Sequence, residues 1–404
     1  MMVSQHLPDY APDLVELTQR AAELMWHIYP GYSEDRFGHD ELMPSVRANL
    51  DLAVAVVRRN REPTAAELAP ARALGTRRAS QSVPLESVIQ AYRSTERVIL
   101  LDLVADSRAW PQQQANRRAD LVITTFDLLT DEMINAYRDT SSAIEATRRR
   151  TENELVNALA SGHPVTSAEL QQWAHTLQID AAVNWFAFAL LGGSQADPLD
   201  LQRLRRRLAA QLQPHTTHIV FGDVGEATVA LAALRSAGTE PRAILSQALP
   251  NLSSTTVIYC GIGQFSDNLA AAGESCRQSL EAVRAAAAGT AASGATIVDY
   301  REALLEILLS SRPAVADTLV TTRLRPLSDH PHLAQTMEAL LANDLSQSRV
   351  ARELFVHVNT VNHRVKRIRE ITGLDLTRFP DAMEAALALR WHRLTEQGRT
   401  ATAR

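Results

Sequence analysis

Residues 345–373 read LSQSRVARELFVHVNTVNHRVKRIREITG. Ser346 stands as an N-cap before Gln347–Leu354, where Val350, Ala351 and Leu354 share one apolar face. Phe355-Val356-His357 breaks that periodicity. A second helix is expected from about Val358, with Val361, Val365 and Ile368 at i, i+4 and i+7, and Gly373 stopping it at the position where a left-handed residue ends helices. Two short helices across a short break, the second polar on its outer face, form a helix-turn-helix pattern. The outward positions of the second helix are Asn359, Thr360, Asn362, His363, Lys366 and Arg367. Side chains of these types hydrogen-bond base edges near the helix start and reach phosphates farther along. Ser346, Gln347 and Ser348, at the start of the first helix, are further phosphate donors, and His357 and Arg364 complete the candidate DNA-binding set. Six basic residues (Arg349, Arg352, Arg364, Lys366, Arg367 and Arg369) face two acidic ones (Glu353 and Glu370) in this window. Any solvated amphipathic helix carries charge on one face; here caps, break and basic excess coincide.

The rest of the chain sets the frame. At 404 residues it holds several domains, and 46% hydrophobic with 22% charged residues excludes a disordered polymer. The net charge of −5 excludes a general polyanion binder, so nucleic-acid contact has to come from a local patch. Lys366 is the single lysine against 40 arginines, a bias that reads as genome composition rather than chemistry. Cys260 and Cys276 cannot build a disulfide framework or a cysteine-rich zinc site, which fits a reducing cytoplasm. Met1 to Asp13 lacks a basic region followed by an apolar stretch, and no run approaches 18 uninterrupted apolar residues, so a cytoplasmic protein is expected.

The expected fold is multidomain and mainly α: an all-helical domain over 1–145, an α/β domain over 146–299, a connecting helix over 300–330 and an all-helical domain carrying the helix-turn-helix over 331–404. Leu14, Leu17, Ala21 and Leu24 recur at helical spacing, as do Leu50, Ala53, Val54 and Val57. Pro84-Leu85-Glu86 opens another helix. From about Gln113 to Leu159 there is no proline or glycine, which is either one long helix that pairs with its twin in a dimer or two helices across a hidden break. Near residue 160 the texture changes. Ala182–Leu191 reads as a buried strand ending at Gly192-Gly193. His218–Phe221 and Ala227–Leu234 form a hairpin across Gly222-Asp223-Val224-Gly225; Thr255–Cys260 is a strand, Leu269–Ala288 a helix and Ala295–Val298 a last strand.

The stretch Leu341–Leu389 resembles the C-terminal helix-turn-helix domain of the PucR/CdaR family of bacterial transcriptional regulators. The match runs through Ala351, Leu354, His357, Asn359, Thr360, Val361, Arg364, Arg367, Ile368, Thr372, Gly373, Asp375 and Leu376. It departs at His363, where the family usually has tyrosine, and at Val358, often arginine. Gly261-Ile262-Gly263 with Asp267, Leu269, Ser275, Ala282 and Ala286 is similar to the end of that family's middle domain, a degenerate relative of the GGDEF cyclase fold. ARALGTRRASQSVPLESVIQAYRSTERVI (71–99) is similar to helical sensor domains of the RsbR N-terminal type. The resemblance implies a sequence-specific DNA-binding regulator, dimeric or of higher order, acting on double-stranded DNA and responding to an unknown signal, with a small-molecule effector allowed.

No catalytic residue, metal or cofactor is expected. A cyclase turn needs adjacent glycines and metal-binding carboxylates, whereas Phe221-Gly222-Asp223-Val224-Gly225-Glu226 separates its glycines, and the first strand ends without a carboxylate. Asp223 and Glu226 read as solvated turn residues. His215 and His218 have metal spacing but no third ligand; Cys276 reads as a buried inert thiol; Gly261-Ile262-Gly263 lacks the third glycine of a phosphate loop; Trp26, His27 and Tyr29 read as core rather than a haem pocket; Arg148–Arg150 read as a solvated face. Two other classes stay open, a stress-signalling scaffold acting through protein partners and a nucleotide-cyclase-like enzyme.

Overall fold

The computed structural model describes residues 10–28, 39–106, 110–192, 198–236, 238–249, 257–289 and 295–402. The amino-terminal stretch before Tyr10, together with Tyr29, Gly193 and Thr255 and the His27 side chain, lies outside the described residues. The chain divides into two compact units, Met1–Thr147 and Arg148–Arg404.

The first unit is built from α1 (Leu14–Ile28), α2 (His39–Arg59), α3 (Ala69–Ser80), α4 (Leu85–Asp106) and the first part of α5 (Gln112–Ala160). The absence of proline and glycine leaves α5 unbroken, which settles the choice between one helix and two. Leu17, Ala21, Leu50, Ala53, Val54 and Val57 are buried as their spacing requires, with Val88, Ile99, Phe126 and Met133. Leu24 departs from the expected stripe: it is 39% exposed and its neighbour Met25 takes the core place. Gly75 of α3 lies against the α5 backbone, where a Cβ would come within 2.3 Å of the Met133 carbonyl oxygen.

The second unit contains the sheet. After α6 (Ser167–Leu177), β1 (Phe186–Gly192), α7 (Pro198–Leu212), β2 (Thr216–Val224), β3 (Ala227–Leu234), α8 (Pro241–Ala248), β4 (Ile258–Ile262), α9 (Ala272–Gly289) and β5 (Ala295–Asp299) follow. A capping box at Thr166 and Glu169 starts α6. The described strands form one sheet in the order β2-β3-β1-β4-β5, antiparallel except for the β4–β5 pair that α9 connects. Strand alternation sorts the two faces. Ala187 and Ala189 pack with α9, α6 and the end of α5, whereas Phe186, Phe188 and Leu190 pack with α7 and α8. Several strand limits shift from expectation. β1 begins at Phe186 rather than Ala182, and β2 continues through Gly222-Asp223-Val224, so that only Gly225-Glu226 turns the chain. Gly261 and Gly263 take their reason from packing: a Cβ on Gly261 would sit 2.3 Å from Ser279 O and Val283 N of α9, and one on Gly263 would sit 2.1 Å from Ser275 O.

The segment expected as one connecting helix is a chain of short pieces. A 3-10 turn (Tyr300–Glu302) leads to α10 (Leu304–Ser311) and α11 (Pro313–Leu319), followed by a π-helical turn (Val320–Leu324) and a second 3-10 turn (Arg325–Leu327). Pro313 opens α11 and Pro326 sits in the last turn, and a proline cannot continue a preceding helix. The chain then closes with α12 (Pro331–Ala342), α13 (Gln347–Glu353), α14 (Val358–Thr372) and α15 (Phe379–Thr402).

Candidate nucleic-acid interface

α12 to α15 share one core, in which Leu333, Met337 and Leu340 meet Val350 and Ala351 of α13, Val361, Val365 and Ile368 of α14, and Ala385 and Leu389 of α15. This burial fixes which face of α14 is left outside. Asn359, Thr360, Asn362, His363, Lys366 and Arg367 are all exposed, on the face away from that core. α14 ends at Gly373, whose φ of 74° is left-handed.

The turn between α13 and α14 is tight. The Phe355 N–H donates to Arg352 O at 3.3 Å and the Val356 N–H to Ala351 O at 2.9 Å. His357 is the N-cap of α14, its Nδ1 accepting the Asn359 N–H at 3.2 Å. Its predicted place in the interface is therefore shared with a structural role that the sequence reading missed; a polar residue just before the first apolar-periodic position was the available signal. Ser346 holds the N-cap position of α13 with extended backbone, but its side chain makes no capping bond. Ser346 and Gln347 are half-buried and Ser348 is exposed.

The basic residues separate into groups. Arg364, expected at the interface, is half-buried and donates from Nη1 to Thr336 Oγ1 of α12 at 3.1 Å. Arg367 reaches Glu370 at 2.6 Å, Arg369 reaches Asp375 at 2.8 Å and Arg349 reaches Asp344 at 2.8 Å. Thr377 and Arg369 together hold the Asp375 carboxyl below its usual range, the Thr377 side-chain bond first. Asp344 and Asp375 lie just outside the window counted from sequence, so that six cations stand among four carboxylates and the local excess is smaller than the sequence window suggests. Among the described residues Lys366 and Arg352 have no carboxylate partner.

The helix-turn-helix is tied to the joint ahead of it. Arg323, in the π-helical turn, donates from Nε to Glu384 of α15 at 2.9 Å and from Nη1 to the Thr372 carbonyl at the end of α14 at 3.2 Å. Trp391 Nε1 donates to Asp317 of α11 at 2.8 Å, and Arg390 pairs with Glu306 of α10. Beside these contacts a cavity of about 880 Å³ is bounded by Asp317, Leu324, Arg325, Met337, Trp391 and Leu394, among others.

The other sequence candidates fall into structural roles. The Asp223 N–H donates to Asn153 Oδ1 at 2.7 Å, its carbonyl accepts from Asn157 Nδ2 at 2.9 Å, and its carboxylate accepts from Thr228 Oγ1 at 2.8 Å. A Cβ on Gly222 would collide with Val156, so the end of α5 covers the hairpin. His218 stacks on Trp185 and its Nε2 accepts the Asp180 N–H at 3.3 Å. Among the described residues no group of three His, Cys, Asp or Glu side chains is placed to hold a metal. Both cysteines are buried. Arg148 pairs with Glu152, which also holds Arg205 at 3.0 Å.

Comparison with known proteins finds three domains in this chain. Residues 15–152 match the RsbT co-antagonist protein rsbRD N-terminal domain, residues 161–285 the GGDEF-like domain and residues 333–391 the PucR C-terminal helix-turn-helix domain. The uncharacterized protein Rv2242 of Mycobacterium tuberculosis is 30% identical over 259 residues, covering 61% of this chain and 59% of that protein. The proline-responsive transcriptional activator PutR of Bacillus subtilis is 29% identical over 31% of this chain and 32% of its own length. The carbohydrate diacid regulator of Escherichia coli is 32% identical over 22% and 25% respectively. The chain spans about 59% of the length of the first of these relatives. Helical domain, GGDEF-like sheet domain and C-terminal helix-turn-helix define the class, a multidomain chain of regulator architecture. Within that class residues 333–391 are similar to the PucR-type helix-turn-helix domain, and the two named regulators match over 31% and 22% of this chain.

Proposed function

We propose that the protein is a transcriptional regulator that binds double-stranded operator DNA through α14 as a homodimer or higher oligomer. The observation that carries this reading is the exposed row Asn359, Thr360, Asn362, His363, Lys366 and Arg367, held outward by a helix-turn-helix core. Asn359, Thr360, Asn362 and His363 face bases, whereas Lys366 and Arg367 take phosphates, with Ser348 and the start of α13 beside them. A second subunit supplies the second half-site, since one helix reads too few base pairs for genomic specificity. No helix among the described residues is long and apolar enough to cross a membrane, in keeping with work on DNA in the cytoplasm.

The GGDEF-like domain acts without catalysis in this reading, because α5 occupies the hairpin where a nucleotide and its metal would need room. A magnesium-dependent shift in melting temperature on adding GTP would overturn that part. The cavity beside the π-helical turn has the size of a small-molecule site and is the place for an effector. The rsbRD-type N-terminal domain favours a second reading, a partner-binding scaffold, which has no use for the exposed polar face of α14.

The test is binding to DNA fragments tiled around the protein's own gene at two salt concentrations. A fragment that outcompetes random DNA and is lost on Asn359→Ala/Arg367→Ala supports the regulator. Asn362→Ala relaxes sequence preference, whereas Arg367→Ala weakens all DNA and lowers the salt slope by about one. Weak, equal binding to every fragment favours the scaffold.

A further inference from the structure

Phe355 is an outlier in the described backbone. Six non-glycine residues there have positive φ: Asn60, Ser82, Gln178, Asp344, Leu345 and Phe355. Asn60 and Asp344 are of the types that tolerate left-handed geometry; Ser82 and Gln178 end helices. Leu345 sets its strain against burial on the helix-turn-helix core. Phe355 does neither. Its φ is +53° and its ring is 95% exposed, at the place where the closing bonds of α13 call for glycine. Glycine would relieve the backbone and remove an apolar ring from water, so phenylalanine is disfavoured on both counts in the isolated chain. Strain of this kind persists where a site uses it.

The surroundings say what the ring meets. Phe355 precedes the N-cap of α14 by two residues and Asn359 by four, so it stands beside the end of the helix that faces base edges. Among the described residues of α12 to α14 no other large hydrophobic is exposed; in α15 Phe379 and Met383 are. Its exposed neighbours along the chain, Arg352, Glu353, His357 and Asn359, are polar, and Arg352 carries charge without a carboxylate partner among the described residues. A protein partner would need a contiguous apolar face, whereas a polyanion with isolated apolar features suits a single exposed ring on the turn that leads into the polar face of α14. We propose that Phe355 is an apolar DNA contact, its ring packing on a thymine methyl group or a deoxyribose at the groove edge when α14 enters the major groove. This rests on the regulator reading and deepens it.

The test uses the full chain and the tiled fragment that the wild type holds most tightly, with Phe355→Gly and Phe355→Asn, both compatible with left-handed backbone. Both variants keep or raise the melting temperature and lose roughly tenfold in affinity, with an unchanged salt slope because no charge is removed. The same fragment made with deoxyuridine for thymidine separates the two contacts. If wild type weakens on the methyl-free DNA and the variants do not, the methyl is the partner; if wild type binds both DNAs equally, the deoxyribose is. Folded variants that bind as tightly as wild type overturn the contact, and so do variants that lose self-association instead of affinity for DNA. A wild-type chain that selects no fragment overturns the regulator reading itself.

Discussion

The His357 ring closes the first turn of α14, with Nδ1 accepting the Asn359 N–H at 3.2 Å. Accepting at Nδ1 leaves the ring proton of the neutral imidazole on Nε2. One residue thus orders the helix start and stands at the surface proposed to meet DNA. His357→Ala should destabilise the helix-turn-helix by about 1 kcal/mol, the usual loss for an N-cap. His357→Ser and His357→Asn should restore most of it. Hydrogen exchange at the Asn359 amide reads this directly: faster exchange in the alanine variant only is the expected result, and equal exchange in all variants refutes it.

Arg364 and Lys366 are two residues apart in sequence and differ in what they touch. Arg364 is bound to Thr336, whereas Lys366 is exposed. Arg364→Ala should lower the melting temperature by loosening α14 from α12. Lys366→Ala should leave the melting temperature within error and reduce the salt slope of DNA binding by about one. Melting curves alongside titrations at several salt concentrations separate the two; a fall in stability for the lysine variant counts against the assignment.

Gly261 has no room for a side chain, since a Cβ would come within 2.3 Å of Ser279 O and Val283 N. Gly261→Ala must push α9 away from β4, at a cost of about 3 kcal/mol, the upper end for overpacking. Gly225, with φ of 63° and open space around it, is the control. Gly225→Ala carries only the left-handed backbone penalty, about 1 kcal/mol. Urea denaturation of the pair should show the larger loss at Gly261.

Burial pushes the Cys276 thiol from its ordinary 9.0 up to about 12, and burial raises Cys260 as well. The folded state therefore holds these protons while the unfolded chain releases them. Stability from this source is complete below the ordinary thiol value and falls as pH rises from about 9 towards 12. In native protein at neutral pH both thiols should resist an aromatic disulfide reagent, and both should react in denaturant. Fast release in the native state would contradict the burial.

Much of this was legible in the sequence because it rests on local periodicity. Val361, Val365 and Ile368 announce the buried face of α14, and with it the exposed one; Gly373 announces its end. What escaped depends on contacts distant in the chain or on conformation that composition does not encode. Arg364 looks like any interface arginine until Thr336, 28 residues away, takes its guanidinium. Asp344 and Asp375 lie just beyond the basic window and partner arginines inside it. The broken joint over 300–327 escaped because its apolar residues keep helical spacing even though Pro313 and Pro326 interrupt it. Phe355 escaped because a phenylalanine gives no sign of left-handed backbone.

Lys366 is the only lysine side chain in 404 residues, and it is exposed on α14. An amine-directed acylating dye will therefore find, apart from the chain's α-amino group, one target, on the helix proposed to read DNA. Labelling there is a built-in footprint. The rate at which the dye couples reports how much of that helix is covered, without introducing a single substitution.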